Sequence, residues 1–365
     1  MGKINLVTWP IEPHTEVKHA ILRKYLNAWL AILSRWNSRI VYIDGFSGPG
    51  EYTGGEDGSP VIAIKSVLEH KLSLRAEIVM LFVEKVSERC KFLKNKLEGM
   101  KVPDNVKYEI LCGEFRNVIS DALDGIKSRS LSVAPSFVFI DPFGFSGIPL
   151  NLIKKIMENP TCEVLITFMY ENISRFLSLE ENKKHLTETF GTDKWKDVPE
   201  GDPKKKMEYL HELYKKRLES TDGANIRYVR SFKMTNKFNK VDYFLFFGTN
   251  NMSGLEKMKE AMWGTDKSGN FQFSDATYKP FQGVLFEDKP NFSQLKKIIL
   301  EKYKGKSVSS KDLGNFIVVE TSFLRSHYKT AILKPMEELI PPEIEIIEGR
   351  KRKGTYPDNC IIKFL

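Results

Sequence analysis

Cysteine, histidine and long apolar runs are scarce in this chain of 365 residues. Its four cysteines, Cys90, Cys112, Cys162 and Cys360, share no C-x-x-C spacing and lie far apart. That argues against a zinc ribbon and for a reducing, cytoplasmic setting. Cys112 and Cys162, in apolar strand-like runs, read as buried thiols. The six histidines are scattered and offer no metal cluster. There is no H-E-x-x-H, no G-K-[ST] phosphate loop, no nucleophile elbow and no convincingly spaced carboxylate pair. The expectation is therefore no metal and none of those hydrolytic chemistries. No signal peptide and no apolar run of about 18 residues is found, so no membrane span is expected. Internal repeats and low-complexity tracts are missing too.

What is present points to a large domain joined to a smaller one. The apolar content of 41% is enough to bury real cores. The formal charge of +9 is uneven: residues 289–365 hold 15 Lys and Arg against 9 Asp and Glu, a net +6. A basic end of this kind suits nucleic acid, with a solvated surface as the alternative.

The chain is organised around Arg39–Gly50. Ile40–Ile43 reads as a short buried strand running into Asp44-Gly45-Phe46-Ser47-Gly48-Pro49-Gly50, a D-x-x-x-G-x-G turn. Glycine lets the backbone turn with φ > 0 and lets a ligand approach N–H groups that a Cβ would shield. An acid closing the strand places an acceptor at the carboxyl edge of a parallel sheet, where open α/β folds bind ligands. A dinucleotide fingerprint would put a third glycine where Thr53 stands. An acid ahead of the glycines instead suits a cationic ligand with an amine and no phosphate, such as S-adenosylmethionine (SAM). The alternative is an ordinary strand-to-turn junction.

Thr15–Ser34 has the apolar spacing of an amphipathic helix packed on the sheet. Ser59-Pro60 opens a helix to about His70. Glu77–Phe82 is the second strand, and Glu84, followed by Lys85, is placed to accept the ribose hydroxyls of an adenosine. Glu88–Leu97 is a helix and Val106–Leu111 the third strand. Gly113 and Glu114 then stand where a glycine and a polar residue meet adenine in this architecture. Ser136–Ile140 is the fourth strand and Glu163–Met169 the fifth. Polar helices span Tyr170–Phe190 and Pro203–Ser220, ahead of a final strand pair, Arg227–Met234 and Asp242–Phe247. Strands alternating with helices predict an α/β fold: a Rossmann-like sheet, doubly wound and mostly parallel, with an antiparallel edge pair of the kind SAM-dependent methyltransferases have. Residues 1–288 are assigned to this domain.

Residues 289–365 read differently. Helices over Phe292–Tyr303, Ser310–Glu320 and Phe323–Leu333 precede two strands, Ile344–Glu348 and Cys360–Phe364, around a basic loop. That order describes a winged helix-turn-helix. Arg350, Lys351, Arg352 and Lys353 should project from the wing tip. Arg325, His327, Tyr328 and Lys329 should lie on the third helix, with Arg325 and Lys329 contacting nucleic acid. Pro335 should end or bend that helix at Lys334.

Asp141-Pro142-Phe143-Gly144 closes the fourth strand. Amino-group methyltransferases carry (Asp/Asn)-Pro-Pro-(Tyr/Phe) at this level. The acid and a proline carbonyl accept hydrogen bonds from an exocyclic amine and aim its lone pair at the methyl donor. Here Phe143 replaces the second proline and Gly144 the aromatic, leaving Phe143 or Phe145 as the candidate for stacking. D-P-F-G resembles the form found in tRNA guanine-N2 dimethyltransferases; a strand-end Asp capping a tight turn is the alternative. Glu171-Asn172, after the fifth strand, could line the same pocket.

Tyr42–Gly50, Gly58-Ser59-Pro60, Phe139–Gly144 and Ala261-Met262-Trp263 together resemble the three-Cys-motif partner protein family (TcmP), over nearly the whole chain. The resemblance implies a class I methyltransferase-like fold, a cytosolic setting and a partner bearing a three-cysteine motif. It supplies no substrate. The combined expectation is SAM-dependent methylation of a nucleobase nitrogen in DNA or RNA. A non-catalytic nucleic-acid-binding or scaffold subunit on the same fold is the alternative.

Overall fold

The computed structural model describes residues 7–276 and 290–365. These form two compact units, residues 7–254 with 272–276, and residues 255–271 with 290–365. The expected boundary between 288 and 289 lies outside the described residues. The 255–271 segment, which carries Trp263, groups with the second unit.

Helix α1 (Pro13–Trp36) opens the first unit, with proline in its first turn where a missing N–H costs nothing. It buries the stripe Val17, Ile21, Leu22, Tyr25, Leu26, Trp29 and Leu30. Strand β1 (Arg39–Asp44) follows, then α2 (Ser59–Leu68), β2 (Glu77–Glu84), α3 (Ser87–Glu98) and β3 (Val106–Cys112). Helix α4 (Phe115–Ser128), β4 (Ser136–Ile140), α5 (Leu150–Met157) and β5 (Cys162–Phe168) complete the alternating part. Helices α6 (Tyr170–Phe176), α7 (Lys183–Phe190) and α8 (Pro203–Glu219) lead to β6 (Tyr228–Thr235) and β7 (Val241–Thr249). After α9 (Met252–Trp263) comes the short β8 (Gln272–Ser274).

The sheet has eight strands in the order β3-β2-β1-β4-β5-β7-β6-β8. The first five run parallel, and β7 lies antiparallel between β5 and β6. This is the doubly wound, Rossmann-like sheet expected, with β8 added in parallel beyond β6. Strand order reverses between β1 and β4, and Asp44 sits opposite Phe139 there, two residues short of Asp141. The carboxyl ends of β1, β2 and β4 therefore lie side by side at the switch point, where open sheets bind ligands. Helix α1 is tied to this sheet by a buried carboxylate. Glu163 accepts from the Tyr25 hydroxyl at 2.5 Å and the Thr249 hydroxyl at 2.6 Å.

Two cysteine expectations change. Cys90 on α3 and Cys112 at the end of β3 are paired as a disulfide with Cα atoms 6.1 Å apart. Cys112 is exposed, because β3 is the outermost strand of the sheet. Cys162 and Cys360 are free and buried. Among the described residues no helix is long and apolar enough to cross a membrane.

In the second unit α10 (Phe292–Tyr303), β9 (Ser307–Ser309), α11 (Ser310–Glu320) and α12 (Arg325–Tyr328) precede α13 (Lys334–Glu338), β10 (Ile344–Glu348) and β11 (Ile361–Phe364). The strands form an antiparallel sheet in the order β10-β11-β9. Of the two outcomes expected at Pro335, an end or a bend, the helix does not end. Residues Lys329–Leu333 widen into a π-helical turn and the chain continues through Pro335 to Glu338. A wider turn accommodates the proline ring and the carbonyl its missing N–H leaves unpaired.

Lys259 is fully buried, and its ammonium donates to the carbonyls of Ile317, Val318, Thr321 and Phe323 at 2.5–3.0 Å. A cation at the end of α11 meets the negative pole of that helix. Lys259→Met keeps the stem but strips the donor from four carbonyls, and should lower stability by roughly 2–4 kcal/mol in denaturant unfolding. An unchanged midpoint would mean that water replaces the ammonium at no cost.

Candidate active site at the carboxyl edge of the sheet

Gly48 and Gly50 take φ of +59° and +80°, so the turn after β1 needs glycine at both. The turn is held from behind. Ser47 donates its amide (2.9 Å) and hydroxyl (3.0 Å) to the Val83 carbonyl, and the Gly48 amide donates to Glu84 Oε2 at 3.0 Å. The Val86 amide donates to Glu84 Oε1 at 2.7 Å. Glu84 is thus buried with both oxygens hydrogen-bonded to backbone, clamping the first strand end to the second.

A cavity of about 180 Å³ opens beside this turn. Phe46–Tyr52 form one wall, Asp141, Pro142 and Phe143 a second, and Thr167, Met169, Asp242 and Tyr243 a third. The fourth comes from the N-terminal segment: Trp9, Glu12, His14, Thr15, Lys18 and His19. Of the site residues expected from sequence, the structure gathers Phe46, Ser47, Gly48, Pro49, Gly50, Asp141, Pro142 and Phe143 around one space. Gly45 packs against Phe115, where a Cβ would meet the ring at 2.6 Å. Gly144 lies outside the wall. Lys85 and Glu114 are exposed and pair with each other at 2.5 Å, and the Gly113 amide donates to the Glu84 carbonyl at 2.9 Å.

Asp44 is completely buried. Its Oδ1 accepts only a long bond from the Phe46 amide, 3.3 Å, and its Oδ2 meets no partner in hydrogen-bonding geometry. Burial pushes its pKa up to about 7, the nearby Ser59 hydroxyl and Phe46 amide offset part of that, and the charges of Asp141 and Glu84 add to it. The Thr167 hydroxyl, which lines the cavity, is also buried without a partner.

Sequence reasoning treated α1 as packing and missed its role here. Lys18 donates to Asp141 Oδ2 at 2.6 Å, the lysine buried and the aspartate partly exposed. His14 is buried among Glu12, Asp242 and Asp275, at 3.1, 3.5 and 2.7 Å. These carboxylates overcome the effect of burial and raise its pKa. Burial drives His19 down to about 3, keeping it neutral, and raises Asp242 to about 6. A signal did exist: the buried stripe Ile21, Tyr25, Trp29, extended back one and two turns, lands on Lys18 and His14. Polar residues in line with a core stripe mark a helix that leaves the core for a site.

Phe143 is 62% exposed, whereas Phe145 is 8% exposed and packs on Phe176, so Phe145 is core and not a stacking residue. Glu171 pairs with Arg175 at 2.6 Å, and Asn172 donates to the Phe143 carbonyl at 3.4 Å.

The basic surface of the second unit is narrower than expected. Arg350 turns inward to a two-point ion pair with Glu337, at 2.5 and 2.9 Å, leaving Lys351, Arg352 and Lys353 exposed at the tip. Arg325 is half-buried, bound to Glu256 and, at 2.9 Å, to Asn315. Tyr328 is buried against Ser310, and His327 packs on Trp263, so neither lies on an open helix face. Lys329 stays partly exposed, 3.6 Å from Asp358.

No family model and no curated protein matches this chain. Solved structures similar to it include a Legionella pneumophila protein at 16% identity and TM-score 0.37, covering 64% of this chain and 84% of that one. Another is an O-methyltransferase from Bacillus cereus crystallised with S-adenosylhomocysteine, at 13% identity and TM-score 0.32, covering 66% and 92%. Human methyltransferase-like protein 13, also with S-adenosylhomocysteine, has 11% identity and TM-score 0.34, covering 78% and 99%. At such scores the site has to be argued from its own residues.

Asp44 carries a pH signature. Its folded pKa is raised, so its contribution to stability is complete below the unfolded value near 4 and is lost as pH rises through about 7. His14 and Asp242 act in the same direction. His19, held far below its usual value, acts in the opposite direction, so the signature is read as a difference: the melting temperature of Asp44→Asn should gain on that of wild type as pH rises from 5 to 8. A variant curve parallel to wild type would show that Asp44 ionises without cost.

Proposed function

We propose that the first unit binds SAM and directs its methyl group to a nitrogen of a nucleobase in nucleic acid. The observation that carries this reading is Asp44: a wholly buried carboxylate, one oxygen unpartnered, at the end of β1 behind a glycine turn. A group in that state favours a cation beside it, and SAM bears both an ammonium and a sulfonium. Asp44 with the 45–50 turn would hold the methionine end. Glu84, whose oxygens each keep a second lone pair, would take the ribose, and Gly113, Glu114 and Lys85 would flank adenine. When bound, SAM supplies an activated methyl group, so the protein's task is positioning.

For the acceptor, the Asp141 oxygen not held by Lys18 can take one N–H of an exocyclic amine, and the Pro142 carbonyl the other. Lys18 fixes the Asp141 rotamer and balances its charge, which limits repulsion with Asp44. The rival reading, a non-catalytic nucleic-acid-binding or scaffold subunit, draws on that same ion pair and on the departure of Phe143 and Gly144 from the amino-methyltransferase pattern. Calorimetry with SAM and S-adenosylhomocysteine decides the cofactor. Asp44→Asn should weaken SAM by about 1.5–3 kcal/mol. Asp141→Ala should abolish methylation of nucleic acid and leave SAM affinity near wild type. Micromolar SAM binding with no methylation by wild type would favour the scaffold.

The second unit, with its helix–strand–helix–helix–strand–strand order, is read as a winged helix-turn-helix whose tip tracks phosphates in the same cytoplasmic nucleic acid. Lys351, Arg352 and Lys353 are the tip cations, with Lys329 beside them. A three-cysteine-motif protein is the proposed partner. Neutralising the three tip residues should weaken binding to unrelated DNA sequences alike and flatten the salt dependence by about 0.9 log unit per lost phosphate contact. Coincident titrations for variant and wild type would reassign the wing to protein docking.

A further inference from the structure

Three segments far apart in sequence meet at the mouth of the cavity. Trp9 precedes α1, Arg89 lies on α3, and Phe143 follows β4. The Trp9 and Phe143 rings are 5.0 Å apart and nearly perpendicular, at 79°. The Arg89 guanidinium stands 4.9 Å from the Trp9 ring and 5.5 Å from the Phe143 ring. Trp9 is fixed on its other side, where the Thr53 amide donates to its carbonyl at 3.0 Å and Tyr52 meets it edge-on at 5.9 Å.

Two features separate this cluster from ordinary packing. Phe143 leaves 62% of its surface in water although buried positions lie on both sides of it, at Pro142 and Phe145. Arg89 lies against two rings yet forms no ion pair with a carboxylate among the described residues. A guanidinium held against aromatic rings keeps N–H groups along its edge to bind an anion, and two oxygens of a phosphate match that edge.

We propose that Trp9, Phe143 and Arg89 form a recognition platform for one nucleotide of a single strand: Phe143 stacks on the base while Arg89 binds an adjoining phosphate. This rests on the reading of nucleobase methylation and deepens it, because the acceptor becomes a phosphodiester-linked nucleotide and not a free base or nucleoside. Asp141 and Phe143 line the same cavity, so a base stacked on that ring enters the space beside the carboxylate. An acidic peptide would satisfy the arginine but leave the exposed ring unused. A flat base with a phosphate uses both.

The test uses the full chain and a short, labelled single-stranded RNA of mixed sequence, titrated at several salt concentrations. Arg89→Ala should weaken binding about ten-fold and flatten the salt slope by about 0.7 log unit, the value for one phosphate on a single strand. Arg89→Lys keeps the charge and should keep the slope, with weaker binding from the lost fork. Phe143→Ala should weaken binding by roughly 5- to 150-fold, the range for one stacked base, and leave the slope unchanged. Thermal unfolding of each variant checks folding, and its midpoint should stay near wild type. Coincident curves for wild type and Arg89→Ala overturn the platform. So does lost affinity at an unchanged slope, since the arginine would then only prop the rings. Failure of S-adenosylhomocysteine to bind wild type overturns the methyl-transfer reading by itself, and the platform is then decided by the RNA curves alone.

Discussion

Three carboxylates at the ends of adjacent strands set the terms for everything around them. Asp44 feels the charges of Asp141 and Glu84 on top of its own burial, and both raise the cost of ionising it. Each is treated differently. Glu84 is satisfied by two backbone amides, at 3.0 and 2.7 Å. Asp141 is satisfied by an ammonium at 2.6 Å. Asp44 has one long amide bond and an unpartnered oxygen. The imbalance singles out Asp44 as the least satisfied of the three acids.

That division of labour explains why α1 belongs to the site and to the core at once. Its C-terminal turns bury Tyr25 and Trp29, with Tyr25 bonded to Glu163 on β5. Its first turns bring His14 and Lys18 over the strand ends. A helix anchored at one end by apolar packing can hold a lysine against Asp141 with little further loss of side-chain freedom, which a surface lysine could not do. The buried ion pair stabilises little by itself, since desolvation consumes most of its attraction. Its effect is to hold Asp141 in one orientation and to close the cavity on that side.

The mostly parallel sheet with its antiparallel pair and the three strand-end acids were legible in the sequence, because each strand is a short apolar run stopped by an acid or a turn. What lay beyond reach depends on contacts remote in sequence. Nothing local announces that Lys18 meets Asp141, 123 residues away, or that Trp9 meets Phe143. Charge runs misled for a related reason. Arg350 and Arg325 read as free cations until Glu337 and Glu256 are found beside them. Cys112 read as buried because its strand is apolar, and only the strand order places that strand at the edge. At Pro335 the rule that proline stops a helix yielded to a π-turn that makes room for the ring.

The loop that lengthens the interval from Asp44 to Glu84 is part of the site. Residues 51–57 fold back on themselves, with Glu51 bridged to Asp57. Lys96 pairs with Glu51 at 2.9 Å and Lys65 with Asp57 at 2.6 Å, pinning both ends to helices α3 and α2. At the exit the Gly58 amide donates to the Gly50 carbonyl at 2.8 Å, and a Cβ on Gly58 would strike the Gly50 backbone. The loop therefore locks the glycine turn from its far side. From this fixed base Tyr52 lines the cavity and Thr53 holds the Trp9 carbonyl. An acid-to-acid spacing that is long by the standard of such folds is thus the length needed to build a second wall. One short segment thereby positions both the turn over Asp44 and the aromatic ring at the cavity mouth.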